Sequence, residues 1–112
     1  MGSYSVGLGN RLQVINNNED SDVDPKAGIV LIDASKEHIT ARLPPAQSLR
    51  YNTIALVAED VTLGIDLVLE EGDTWLDDSN VGLNTKGDAI TLVSNRENQW
   101  ICISRYTGHL AY

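Results

Sequence analysis

Phenylalanine is absent from this sequence, tryptophan occurs twice, and aromatic residues occupy 5% of the 112 positions. A core without phenylalanine must be filled by Ile, Leu, Val and Ala, and a chain this short buries only a modest share of its surface, so it leans on a partner. Cysteine appears once, at Cys102, which excludes an intramolecular disulfide and any zinc site built on paired thiolates. Lys and Arg number 8 against 16 Asp and Glu, a net charge of −8. That balance excludes nucleic acid as a partner, because phosphate binding needs clustered cations to replace condensed counterions. No basic region followed by an apolar stretch opens the chain, and no apolar run approaches bilayer length. Neither a secretion signal nor a membrane partner is expected.

Helical periodicity is missing too, apart from one possible turn in PAQSLRY (45–51), where Pro45 suits a first helical position. From Gly28 onward the dominant period is two, the mark of strands. GIVLID (28–33), HITARL (38–43), TIALVA (53–58), IDLVLE (65–70), TWLD (74–77), VGLN (81–84), AITLVS (89–94) and QWICIS (99–104) are separated by turn-forming residues. The pattern predicts an all-β fold: a small sandwich or barrel of about eight short antiparallel strands with an extended N-terminal arm. The expected organisation is an arm over 1–27, a β domain over 28–104 and a tail over 105–112. The arm is rich in Gly, Asn, Ser and Asp, and its apolar patch is confined to Leu12, Val14 and Ile15. Such an arm orders when another chain holds it, for instance by accepting it as an added strand.

Charge is uneven along the chain. Residues 1–56 carry six acids and five bases, residues 57–112 ten acids and three bases, so the second half is expected to face solvent. Asp20, Asp22 and Asp24 have the spacing that opens a calcium loop, but the sixth and twelfth places hold Pro25 and Leu31 where Gly and Glu are required. Asp33, Ser35 and His38 are the residue types of a nucleophile relay, yet hydrolases assemble such groups from separate elements. Glu70, Glu71 and Asp73, with Asp77 and Asp78 nearby, read as solvated turns rather than a glycosidase pair. Trp75 and Trp100, with Tyr51, Tyr106 and Tyr112, could stack on a sugar; core or interface anchoring is the stronger reading. No catalytic residue, cofactor or metal is assigned.

Residues 38–104 hold a particular order of signals. Thr40, Leu43 and Pro44 end a strand, TIALVA follows, then IDLVLEEGDTWLDD, and DAITLVSNRENQW closes on Trp100. This order resembles a small β domain of tailed-bacteriophage virion proteins, found in tail fibres and spikes and in capsid decoration proteins. The chain departs from that family at the last turn, where Asn95, Arg96, Glu97 and Asn98 replace a glycine-containing turn.

The resemblance implies a homotrimer and a place on the virion. A decoration (cement) protein is small and self-contained, and 112 residues leave little room for a shaft and receptor tip. The expectation is therefore a virion structural protein on the outer capsid surface, bound to the major capsid protein and bridging subunit junctions. A tail fibre or spike module binding host glycan is the alternative. Leu12, Val14 and Ile15 are the expected capsid contacts; Ile54, Leu56, Leu67, Leu69, Trp75 and Trp100 are expected in core or trimer packing.

Overall fold

Where every second side chain is apolar, a pleated strand can bury one face, and the chain does so repeatedly. The computed structural model describes residues 11–48, 53–76 and 81–107. Eight strands occur among them: β1 (Arg11–Ile15), β2 (Ala27–Asp33), β3 (Ile39–Arg42), β4 (Thr53–Asp60), β5 (Ile65–Val68), β6 (Thr74–Trp75), β7 (Ala89–Ser94) and β8 (Gln99–Tyr106). The fold is all-β, with one short 3-10 turn at Ala46–Ser48. VGLN is not a strand. It lies in a loop that buries Leu83 and is tied by Asp88, whose Oδ2 accepts from the Asn84 and Thr85 amides at 3.0 and 2.9 Å.

The strands form a six-stranded sheet, ordered β1-β2-β4-β7-β8-β6, and a two-stranded sheet of β3 and β5. The expected antiparallel pairing is only partly met. β4–β7 and β7–β8 are antiparallel, but β1–β2, β2–β4, β3–β5 and β6–β8 are parallel. The register gives the reason. Ile29 lies opposite Ala55 in the large sheet and Ile39 opposite Ile65 in the small one, the same 26-residue displacement in both. The chain therefore winds: each coil runs along the large sheet, crosses to the small sheet and returns one strand further on. Parallel neighbours need such long crossovers, and the segments between β2 and β4 and between β3 and β5 supply them.

An earlier, shorter coil precedes these. β1 lies parallel to β2, and Asp22 makes an isolated parallel bridge to Arg42 beside β3. Backbone bonds from Val23 N to Arg42 O (2.8 Å) and from Arg42 N to Ser21 O (3.2 Å) hold this crossing. The Asn18 side chain helps by donating to His38 O and accepting from Thr40 N. Residues 11–27 are thus part of the folded body, which corrects the arm boundary; residues 1–10 lie outside the described residues. At the other end, Arg105 and Tyr106 belong to β8, so the body also extends past residue 104.

The core fills the space between the sheets. Val30 and Ile32 of β2, Leu56 and Ala58 of β4, and Ile90 and Leu92 of β7 face Ile39, Ala41 and Ile65 from the small sheet. Small residues at Ala34, Ala41 and Ala46 let the layers approach. Three turns hold glycine at positive φ, Gly64 (+96°), Gly72 (+92°) and Gly87 (+92°). A Cβ on Gly64 would stand 2.9 Å from His38 Cδ2, whereas one on Gly72 would meet nothing within 4 Å. Gly72→Ala is expected to cost about 1 kcal/mol for the left-handed backbone alone. Gly64→Ala should cost measurably more in the same denaturant titration, and equal losses would exclude a role for the His38 contact.

Candidate assembly surface

Strand alternation leaves a second face on the six-stranded sheet. In an antiparallel or mixed sheet with one solvated side this face should be polar. Here it is not. The edge strand β1 presents Leu12 and Val14, exposed by 60% and 53%. Its neighbour β2 presents Ile29, 44% exposed, and Leu31, register partners of those two residues. Across β4 the same row continues as Ala55 and Val57, then Thr91 and Ala89 on β7. Val93 and Ile101 pair across β7 and β8. No charged side chain interrupts these positions. Asp33 and its register partner Asp60, with Glu59 at the bulge, stand at one end of the face, while the opposite end is Thr53, Val93 and Ile101. A bulge in β8 adds Ile103, 58% exposed.

Charges gather instead at the turns and along the small sheet. Asp22 faces Arg42 at 3.8 Å, Asp24 faces Arg11 at 3.9 Å, and the His38 Nε2 lies 3.2 Å from Asp66 Oδ2. The β4–β5 turn is capped by Asp60, whose Oδ1 accepts the Thr62 amide at 2.8 Å. That bond, with the Thr62 hydroxyl and the Lys86 charge adding, holds the Asp60 carboxyl below the usual carboxylate range. A shallow cleft of about 240 Å³ lies between the first crossing and β3, and the sequence's three prolines, Pro25, Pro44 and Pro45, all line it. Arg42, Asp22 and Glu70 reach its wall.

The residues singled out from the sequence divide as follows. Leu12 and Val14 are on the exposed apolar face, but Ile15 is fully buried in this chain's own core. Ile15 is therefore removed from the expected capsid contacts: strand alternation turns it inward while Leu12 and Val14 turn out. Ile54, Leu56 and Trp100 are fully buried, and Leu67, Leu69 and Trp75 pack against the core while partly exposed. Trp75 and Trp100 are register partners across β6 and β8. Full burial of Trp100 excludes it from a sugar-stacking platform.

Asp33 and Ser35 form a local turn, Oδ1 to Ser35 N at 2.9 Å, and His38 pairs with Asp66 rather than completing a relay with them. Among the described residues, no three His, Cys, Asp or Glu side chains gather as metal ligands. Asp77, Asp78, Tyr51, His109 and Tyr112 lie outside the described residues.

The apolar outer row from Ile29 to Val93 was not singled out from the sequence. The available signal was the continuity of IVLI and IALVA, which are apolar at both parities, as in strands covered on both faces. No family model, curated protein or solved structure matches this chain.

Proposed function

We propose that this chain is a bacteriophage virion structural protein, a capsid decoration protein that sits as a homotrimer on the outer capsid surface and stabilises subunit junctions. The observation that carries the reading is the outer face of the six-stranded sheet, apolar along its rows with its carboxylates, Asp33, Glu59 and Asp60, gathered at one end. Such a molecule is suited to assembly. Burying that face against other subunits is favourable at about 25 cal/mol per Å² of apolar surface removed from water, and the acidic turns remain hydrated. Bridging contacts stabilise a shell by mass action, since they are made only in the assembled state. In this reading, Leu12 and Val14 and the edge of β1, which pairs with no further strand among the described residues, are the contact with the major capsid protein, by strand addition or apolar docking.

A second reading has its own support. Coils stacked in parallel, strand upon strand, are units that can be extended one upon another, which suits a module of a tail fibre or spike. Binding to decoration-free shells separates the two. The protein is expected to saturate such shells, and the Leu12→Ser/Val14→Ser variant to lose saturation while keeping its fold. Unchanged saturation by the variant would remove β1 from the docking role. Absence of the chain from the capsid of intact particles, with labelling at the tail instead, would transfer the proposal to the second reading.

A further inference from the structure

We infer that the centre of the outer sheet face, over β2, β4 and β7, is covered by another copy of this chain. The inference rests neither on the capsid docking nor on the three-fold oligomer proposed above, since two such faces in contact make a two-fold pair.

The face requires a cover. Leu31, Val57, Ala89 and Thr91 are partly exposed at the middle of a sheet whose other side is already packed, and Ile29 and Val14 extend the patch outward. Monomeric proteins rarely leave so continuous an apolar surface in water.

Three features select the same chain as the cover. The first is charge: the chain carries −8 overall, yet the carboxylates near this face, Asp33, Glu59 and Asp60, are all at one end. Two copies packed with opposed strand directions place those acids at opposite ends of the joint, each against the neutral end formed by Thr53, Val93 and Ile101. No like charges are then brought together, and no outside cation is needed.

The second feature is shape. The face is a pleated sheet of aliphatic and β-branched side chains, and sheets pack well on sheets about 10 Å apart. A second copy supplies such a surface.

The third concerns the alternative cover, a lipid surface. Interfacial binding draws on aromatic anchors and basic residues. The central rows carry neither, and the acidic chain would be repelled by anionic headgroups.

The test is sedimentation equilibrium of the full chain across micromolar to millimolar concentration, beside Leu31→Lys/Val57→Lys. Wild type is expected to associate. The double variant should dissociate roughly 100-fold more readily, as unpaired ammonium groups placed in an apolar joint demand, with unchanged far-ultraviolet circular dichroism. If that variant fails to fold, Ala55→Cys replaces it in a Cys102→Ser background: cross-linking between copies through residue 55 supports the inference, and absence of cross-links in an associated sample overturns it. A wild type that stays monomeric at millimolar concentration also overturns it, as does a folded double variant that associates like wild type. Failure to bind shells, with association intact, would count against the capsid proposal alone.

Discussion

Trp100→Ala is expected to remove about 3–5 kcal/mol of stability, the range for deleting a fully buried large aromatic side chain. Small domains have about 5–15 kcal/mol in total, so the variant should be largely unfolded near room temperature or show a strongly lowered denaturant midpoint. Trp100 is 0% exposed and is the largest of the fully buried side chains. It is also the one place where β6, β7 and β8 meet, opposite Ser94 on one side and Trp75 on the other. Its loss leaves a cavity that no neighbour in a Phe-free core is large enough to fill.

The companion substitution sharpens the test. Trp100 Nε1 is buried and has no hydrogen-bond partner among the described residues. Trp100→Phe therefore sacrifices volume but no hydrogen bond, and even removes an unsatisfied donor. Its cost should fall well below that of Trp100→Ala in the same urea titration. Similar losses for both would mean that Nε1 has a partner in the assembled protein; a loss under about 1 kcal/mol for Trp100→Ala would contradict its core position.

Ser94→Ala carries the second large effect, about 2–3 kcal/mol, because one small hydroxyl serves two backbone groups, one buried and one part-buried. Ser94 Oγ donates to Ala46 O at 2.6 Å and accepts from the Arg96 amide at 2.7 Å, with the residue 4% exposed. Removing it orphans a carbonyl in the 3-10 turn and an amide in the β7–β8 turn together. Ser94→Thr keeps the hydroxyl and should restore part of the stability, whereas equal losses would show that packing, not hydrogen bonding, sets the cost. Amide exchange at Arg96 gives a local readout: it should accelerate in Ser94→Ala beyond what global destabilisation explains.

The same turn accounts for the missing glycine between Ser94 and Gln99. Arg96 itself takes the left-handed conformation, with φ of 67°. Asn95 makes this tolerable: its Oδ1 accepts from the amides of Glu97, Asn98 and Gln99 at 2.9, 3.1 and 3.0 Å, and its own amide donates to Gln99 O. Side-chain capping by asparagine does here what glycine's conformational freedom does in glycine-containing turns. Neither Asn95 nor Ser94 stands out in the sequence, since the capping depends on how the two strands close.

Much of the core was legible. Ile54, Leu56 and Trp100, expected in core or trimer packing, are fully buried within this chain, and AITLVS and QWICIS begin where their strands begin. Ile15 was misread because three apolar residues in a polar stretch look like one patch, while a strand divides Leu12 and Val14 from Ile15. The assembly face was missed for a related reason: attention to one apolar face per strand hides strands that are apolar on both.

By itself the sequence determined that the chain makes short strands, where most of them turn, and that its core is mainly aliphatic. These follow from local periodicity, turn chemistry and composition, which act over a few residues. Direction and partner of each strand were decided only by the tertiary structure. A period of two is the same whether a neighbour runs parallel or antiparallel, and the difference lies in crossovers that bring Ile29 beside Ala55 and Ile39 beside Ile65. The assembly face emerges at that level as well: Leu31, Val57 and Ala89 are far apart in the chain and become one surface only when their strands lie side by side in register.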